Sequence, residues 1–385
     1  MKELLTAKEA EKIYLEQPFE VSLTDSLTGR ISVLCRRDCG RVMGKWQLEV
    51  DGKRDSFGQF LINTMRAGER KEYLLSVDVP DMVYGSNAVL IVRFYDETEC
   101  CLAVESFPMT PAAWLMPEVS KEQFFTGVRF DVSKGIISSG KLSAVIDADG
   151  MRELRYNGEK ILSSGPRLSM WRRGMVPENL RKLKLDRIKV AADRFVSDGK
   201  SIESHALALP TAMEMDELEF TQRFTPQNDG SLRYDMEFVV PESFAGLPRL
   251  GIVMRLPDTM DHGRFLGNGP HENYPGDRGA VFSSYDFKVA DMFTPHDTPR
   301  AGGSRSNVKS LELSDPDGKK HLRIVGGNSF SFSVLPCSEF ALEDAAFSGK
   351  HPSAESEISL YIDCRIGENQ PISSGVYRMT LFLFA

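Results

Sequence analysis

Three segments of the sequence concentrate side chains of the kind that recognise sugars. They are Gly263–Ala280 (GRFLGNGPHENYPGDRGA), Asp291–Leu313 and Gly165–Asn179, and we predict all three as long loops. Asn, Glu and Arg side chains can hydrogen-bond the hydroxyls of a sugar, and an aromatic ring can stack on its apolar face. The candidate residues for a carbohydrate-binding site or active-site rim are His271, Glu272, Asn273, Tyr274, Asp277, Arg278, Arg305, Asn307, Trp171 and Arg172. The alternative is that these side chains only tie the loops together through backbone hydrogen bonds and Arg–carboxylate pairs.

No motif of a catalytic centre accompanies these segments. The chain lacks a Gly-x-Ser-x-Gly elbow, a Gly-x-x-x-x-Gly-Lys-Ser/Thr phosphate loop, a His-Glu-x-x-His zinc motif and a dinucleotide-binding fingerprint. Its 55 acidic residues could include the carboxylate pair of a glycosidase, but the sequence alone does not single out a pair. Cys35 and Cys39 resemble half of a metal site, without a second pair at ligand spacing. We therefore predict no catalytic residue, no metal and no cofactor on this chain.

The charge of the chain argues against two classes of partner. The net charge is −8 and the basic residues are dispersed, whereas nucleic acids and anionic membranes require a concentrated positive surface. The first residues, MKELLTAKEAEKIYLEQ, lack the apolar core of a signal peptide, and no stretch approaches the ~20 apolar residues of a membrane span. We therefore expect neither a nucleic-acid nor a membrane partner, and a cytoplasmic location.

Alternating apolar and polar residues dominate the sequence and predict an all-β protein. In residues 18–108, about seven short strands with turns roughly every ten residues are typical of an immunoglobulin-like β-sandwich. From residue 121 to the end of the sequence, strands continue over ~265 residues. This favours a large double-sheet assembly with room for a ligand in its groove. The only helical pattern is a weak amphipathic stretch, Lys8–Leu15.

The predicted domains follow from these patterns. Two prolines and Trp114 interrupt the alternation, so we predict a linker there, with the tryptophan docked on a neighbouring domain. The predicted order is an N-terminal extension (1–17), the sandwich (18–108), the linker (109–120) and the large β domain (121–385).

Four segments also share motifs, in the same order, with a known family. GNGPHENYPGDRGA (Gly267–Ala280) matches a Gly-x-Gly-Pro-x-Glu-Asn-Tyr-x-Asp-Arg element, and GPRLSMWRR (Gly165–Arg173) matches Gly-Pro-x-Leu-x-x-Trp-Arg. GGSRSNVKSLEL (Gly302–Leu313) matches Gly-x-Arg-x-x-Val-Arg-Trp, and LAVESF (Leu102–Phe107) is similar to the end of a preceding immunoglobulin-like domain. Together they resemble the C-terminal portion of glycoside hydrolase family 2 β-galactosidases.

This resemblance implies a fold and a role. The chain would contain the family's fourth, immunoglobulin-like domain and its fifth, a β-supersandwich of the galactose-mutarotase-like type. The family's catalytic glutamates lie on a (β/α)₈ barrel, for which this sequence has no alternating strands and helices. The chain thus resembles a β-galactosidase small subunit. It would act in carbohydrate metabolism by supporting the hydrolysis of terminal β-galactosides by a barrel-bearing large subunit or the remaining domains.

The resemblance leaves two alternatives. As a small subunit, the isolated chain would be inactive. The first alternative is a free-standing carbohydrate-binding protein with galactosides as ligands. The less favoured alternative is a mutarotase-like epimerase with His271 and Glu272 as acid and base.

The sequence also departs from the family in three places. The family's Ala-Pro-x-Asp-Asn-Asp is replaced by RGMVPEN, and Gly276 is inserted before the Asp-Arg pair. The late segment Ile362–Met379 lacks the tryptophan that the family extends to the barrel's sugar site, which implies a smaller contribution to substrate binding.

Overall fold

The protein is built almost entirely of β-strands, as the alternating sequence predicts. A computed structural model describes residues 17–26, 28–78, 80, 86–109, 129–131, 135–139, 141–174, 177–210, 216–277, 280–293, 302–348, 356–368 and 370–385. The predicted all-β class is confirmed. The predicted Lys8–Leu15 helix, the docking of Trp114 and the position of Arg278 lie outside the described residues.

The chain divides into two compact units. The first unit comprises Met1–Glu118 and Leu266–Tyr285, and the second comprises Val119–Phe265 and Asp286–Ala385. No sequence pattern indicated that Leu266–Tyr285 groups with the first unit. The predicted domain boundaries stay predictions.

The first unit contains a sandwich of two antiparallel sheets. Its strands are β1 (Phe19–Asp25), β2 (Arg30–Cys35), β3 (Val42–Val50), β4 (Lys53–Ile62), β5 (Arg70–Leu74), β6 (Ala88–Tyr95) and β7 (Cys101–Pro108). One sheet has the order β1-β2-β5 and the other β4-β3-β6-β7. Alternate residues of both sheets enter one core, where the Phe19 and Phe94 rings lie 5.1 Å apart. The alternation in KEYLLSVDVP predicts a strand that continues through Leu75 and Val77. Strand β5 instead ends at Leu74, although the Leu75 and Val77 side chains are buried.

The second unit carries longer and more numerous strands. The remaining strands are β8 (Arg129–Asp131), β9 (Ile136–Ser139), β10 (Leu142–Asp147), β11 (Gly150–Tyr156), β12 (Glu159–Leu162), β13 (Ser164–Ser169), β14 (Lys189–Ser197), β15 (Ile202–Leu209), β16 (Leu218–Pro226), β17 (Leu232–Val240), β18 (Arg249–Pro257), β19 (His262–Gly269), β20 (Val281–Lys288), β21 (Arg305–Ser314), β22 (His321–Leu335), β23 (Glu357–Ile366) and β24 (Gly375–Phe384). Strands β19 and β20 each span the division between the units.

These strands form a small and a large sheet. The five-stranded sheet has the order β12-β11-β10-β9-β8, and the twelve-stranded sheet runs β13-β18-β23-β22-β24-β17-β16-β15-β14, with β19, β20 and β21 off this path. The alternation in LEFTQRFTPQNDGSLRYDMEFVVP predicts a hairpin with Leu232, Tyr234, Met236 and Phe238 facing the core. The hairpin is confirmed, because β16 and β17 pair antiparallel and all four side chains are buried. Period-2 alternation gives this pair one apolar face. The Phe224 ring stacks on Tyr234 at 4.8 Å.

Two sequence predictions are wrong in detail. The chain forms α-helices α1 (Val289–Met292) and α2 (Glu339–Ser348), and 3₁₀ turns Glu178–Leu183, Leu185–Arg187 and Glu242–Phe244. Ser338 marks the start of α2, since its hydroxyl accepts the Ala341 N–H at 3.1 Å as an N-cap does, a signal that the strand pattern around it obscured. The three segments predicted as long loops are partly strand, because β13, β19 and β21 lie within them.

Among the described residues, no helix is both long and apolar enough to cross a membrane.

Candidate functional site

Several predicted loop residues of the first unit hydrogen-bond to one another or to nearby backbone. The Asn273 side-chain amide donates to the carbonyls of Asn268 (3.0 Å) and His271 (2.8 Å), and Asn273 itself is buried. The Tyr274 hydroxyl hydrogen-bonds Glu272 at 2.6 Å, and its backbone N–H donates to Asp277 at 2.8 Å. These contacts fix an irregular chain path between β19 and β20. Asn273, Tyr274 and Asp277 therefore help to hold the local chain path.

Two of these residues form the predicted epimerase pair. His271 is exposed, while Glu272 is half-buried and bonded to the Tyr274 hydroxyl. General acid–base chemistry on a sugar requires both groups to reach the same ring. Glu272 is engaged locally, by the Tyr274 hydroxyl.

The predicted residues of the Gly165–Asn179 segment lie in the second unit, just after β13. The Trp171 ring stacks on Phe340 with centroids 4.6 Å apart and planes 9° apart. Arg172 is 1% exposed and its guanidinium contacts Glu368 at 3.1 Å. Arg173 donates its backbone N–H to Glu339 and its Nε to Glu343 at 2.9 Å. The arginines therefore anchor the end of β13 to acidic residues of distant segments.

Arg305 and Asn307 begin strand β21, where the register with β22 shifts. Arg305 is buried and donates to the Ser304 carbonyl at 3.0 Å. Asn307 is exposed and has φ of +53°. Asn tolerates this left-handed conformation better than most residues, so the β-bulge accounts for Asn307 without a ligand.

A buried ionic cluster that the sequence reasoning missed lies in the second unit. It centres on Arg249, whose guanidinium contacts Glu339 at 2.8 Å and Asp363 at 2.7 Å. The same guanidinium lies 4.4 Å from the centre of the Tyr361 ring. All three charged side chains are at most 2% exposed. We call Arg249, Glu339 and Asp363, with Arg172 and Glu368, the buried ionic cluster.

The local sequence explains how these groups come together. Arg249 begins β18, Asp363 lies in β23 and Glu339 begins α2, where its N–H donates to the Tyr361 hydroxyl at 3.1 Å. Arg249 and Asp363 each lie in a strand made mostly of apolar residues, RLGIVMRLP and EISLYIDCRI. A charged residue in a mostly apolar strand is the signal that could have revealed the cluster, because a buried charge needs a partner.

Burial and charge compete within the cluster. Burial raises the pKa of Asp363 to about 6, although the guanidinium groups of Arg249 and Arg172 oppose the rise. Burial alone would lower the pKa of Arg249, but the Asp363 and Glu339 carboxylates outweigh it and raise that pKa above its ordinary value. The cluster thus keeps Arg249 charged inside the protein.

The chemistry that this arrangement supports is limited by its burial. Glycoside hydrolysis needs two carboxylates that face the same substrate. Glu339 and Asp363 instead face a shared arginine, and each is 1% exposed. The cluster therefore ties β18, β23 and α2 together.

The predicted site residues are divided between the two units. The loop residues His271, Glu272, Asn273, Tyr274 and Asp277 belong to the first unit, and Trp171, Arg172, Arg305 and Asn307 to the second. Their roles in binding a sugar stay predictions.

Comparison with known proteins places the chain among β-galactosidases. Residues 129–367 match the family model described as β-galactosidase small chain. A β-galactosidase of Priestia megaterium is 23% identical over 266 residues, covering 66% of this chain and 25% of that protein. One of Vibrio cholerae is 23% identical over 310 residues, covering 71% of this chain and 28% of that protein. The chain therefore spans little more than a quarter of these relatives.

Structural comparison gives distant neighbours. A galactose 1-epimerase from Lactobacillus acidophilus has 9% sequence identity and a TM-score of 0.31, covering 77% of this chain and 97% of that chain. A 4-α-glucanotransferase from Thermococcus litoralis has 11% identity and a TM-score of 0.33, covering 69% of this chain and 40% of that chain. Because the family model matches more than half of the sequence, the chain belongs to the β-galactosidase small-chain family.

Proposed function

We propose that this chain is a non-catalytic small subunit, or C-terminal portion, of a glycoside hydrolase family 2 β-galactosidase. It supports the hydrolysis of terminal β-galactosides by a barrel-bearing partner in the cytoplasm. The observation that carries the proposal is the small-chain family match over residues 129–367. The chain also corresponds to only 25% of the Priestia megaterium relative, so a partner or the remaining domains would supply the rest of the enzyme.

The state of the carboxylates supports a non-catalytic role. The most enclosed pair in the described part of the second unit, Glu339 and Asp363, is bound to Arg249. In the first unit, Glu272 bonds Tyr274 and Asp277 accepts a backbone N–H. These groups are engaged in holding the chain, so the nucleophile and the acid would come from the partner.

The contribution of the chain would be structural. A permanent complex of this kind buries on the order of 2,000–5,000 Å² of surface. Through that interface the chain would stabilise the barrel and shape the rim of its active site.

Activity measurements on separated and combined chains test the proposal. We expect the purified chain alone to show no hydrolysis of a nitrophenyl β-galactoside, and a co-expressed barrel-bearing chain to gain activity in its presence. The control is the barrel-bearing chain purified alone. Turnover that stays with the isolated chain through ultrapure preparation, or a partner equally active without it, would contradict the proposal.

Calorimetric titration of the isolated chain with galactose and lactose separates this proposal from a free-standing carbohydrate-binding protein. A non-catalytic subunit without the late tryptophan should bind neither sugar measurably. Tight binding of both would favour the binding protein.

A further inference from the structure

One half of the outer face of the β4-β3-β6-β7 sheet is covered by the chain itself. Val89 and Ile91 point away from the sandwich core, yet they are at most 2% exposed. The segment Leu266–Tyr285 of the same unit covers them, since the Phe282 N–H donates to Ser106 Oγ at 2.9 Å and the Ser283 hydroxyl donates to Glu49. The covering segment forms one edge of the remaining, open part of this sheet face.

The other half of that face is an open cleft of about 930 Å³. This volume is within the range of roughly 300–1,000 Å³ that is typical of small-molecule sites. Its polar and aromatic lining comes from neighbouring strands and includes Lys45, Arg54, Phe57, Gln59, Arg93 and Tyr95.

Three basic side chains, Lys45, Arg54 and Arg93, line the cleft. Lys45 on β3 lies directly opposite Arg93 on β6 and opposite Gln59 on β4. Like charges directly opposite one another destabilise a sheet. In the part of the chain that the structure describes, no carboxylate forms an ion pair with Lys45, Arg54 or Arg93. An anion bound between Lys45 and Arg93 would remove this repulsion.

Aromatic rings contact two of these basic side chains, Lys45 and Arg54. The Lys45 ammonium lies 4.7 Å from the centre of the Tyr95 ring, and the Arg54 guanidinium lies 4.8 Å from that of Phe57. Cation–π contacts of this kind orient a charge while leaving its hydrogen-bond donors available. The cleft carboxylate, Glu49, is 2% exposed and already accepts hydrogen bonds from Gln47 and Ser283, so the accessible charge is positive.

Uncharged groups beside the cations suit a sugar ring. Phe57 is 68% exposed, which is high for a large apolar side chain, and offers an aromatic surface. The Gln59 amide on the same strand can donate to and accept from hydroxyl groups. The bounded shape favours a small ligand over a protein, whose stable docking requires a surface of on the order of 1,000 Å².

We propose that this cleft binds an anionic monosaccharide. The acidic group lies between Lys45 and Arg93, and the ring lies against Phe57 within reach of the Gln59 amide. The acidic group is either the carboxylate of a uronic acid or a phosphate ester. This inference is independent of the proposed function, because it concerns only first-unit residues and involves no bond cleavage.

Calorimetric titration of the full chain distinguishes the two acidic groups. The probes are D-galacturonate, D-galactose 6-phosphate, D-galactose and inorganic phosphate. We expect one acidic sugar to bind about tenfold or more tightly than galactose and inorganic phosphate, since hydrogen bonds to charged groups are the stronger ones. We also expect its affinity to fall as salt is added. Equal affinity for galactose, or inorganic phosphate binding as tightly as either acidic sugar, would overturn the proposal.

Substitutions localise the binding. Lys45→Gln and Arg93→Gln should each weaken the acidic sugar about tenfold. Lys53→Gln should leave the affinity unchanged, because Lys53 is exposed on the same strand as Phe57 but does not line the cleft. Thermal unfolding confirms that each variant is folded. Equal affinity in the Lys45→Gln and Lys53→Gln variants would place the ligand elsewhere.

A measurement on the unaltered protein completes the test. In saturation-transfer NMR, ring protons of the bound acidic sugar should receive the strongest signal on the face that contacts Phe57, and Phe57→Ala should abolish that pattern. A uniform signal that Phe57→Ala leaves unchanged would exclude the assigned pose.

Discussion

At the scale of single residues, Arg249 is a charged side chain buried in the core of the second unit. It is 1% exposed and contacts Glu339, Asp363 and the Tyr361 ring. Forming a buried ion pair costs about as much in desolvation as it gains, but removing one partner leaves charges without compensation. Replacing one charged residue should therefore lower the free energy of unfolding by much more than the whole cluster contributes to it.

We expect Arg249→Met to lower the free energy of unfolding by about 3–5 kcal/mol, because it leaves two buried carboxylates without their cation. The matched control is Arg30→Met, which breaks an exposed pair with Glu72 at 3.5 Å and should cost no more than about 1 kcal/mol. Urea unfolding measures both. Similar losses in the two variants would contradict a central role for the buried ionic cluster.

At this scale the sequence does not specify which partner a polar side chain takes. Asn273 and Tyr274 were candidate ligand groups because their side chains can bind sugars, but the same amide and hydroxyl also satisfy local backbone and side-chain partners. Only coordinates show which partner is used. Arg249 and Asp363 were missed because the apolar strands around them give a correct prediction of burial without indicating where charges meet.

At the scale of elements, period-2 alternation predicts strands well and interruptions poorly. The β16–β17 hairpin follows its pattern residue by residue. The helix α2 was not predicted, although Ser338 supplies an N-cap hydroxyl. Strand β18 also departs from a simple ladder, because its register against β23 shifts between Leu250 and Gly251. Such a bulge aims Arg249 and depends on close backbone contact that no periodicity reveals.

Gly251 is the residue on which this bulge depends. A Cβ atom there would overlap the backbone oxygen of Ile362 and approach Asp363, so we expect Gly251→Ala to cost about 1–3 kcal/mol through overpacking. Gly40→Ala is the control, since no atom lies within 4 Å of the position its Cβ would take. Thermal unfolding of both variants checks this. An unchanged midpoint for Gly251→Ala would show that the bulge can relax at no cost.

At the scale of the whole molecule, a segment far along the sequence completes the first unit. Leu266–Tyr285 contains the Gly267–Ala280 motif, and it groups with the first 118 residues. Its Ser283 hydroxyl donates to the carboxylate of Glu49, a residue of β3 that is 2% exposed. Composition and alternation could predict two β domains. They could not predict that Leu266–Tyr285 groups with the first unit, because a hydrophobic pattern shows that a strand has a buried face but not which sheet it packs against.

This organisation predicts that a single hydroxyl in the late segment stabilises the early sandwich. We expect Ser283→Ala to cost about 1–3 kcal/mol, because a buried carboxylate loses one of its hydrogen-bond donors. Hydrogen exchange read by mass spectrometry should show faster exchange in Val42–Val50 as well as in the altered segment. Ser22→Ala, at an exposed position of β1, is the matched control and should leave exchange unchanged. Faster exchange confined to the residues around Ser283 would mean that the late segment covers the sheet without stabilising it.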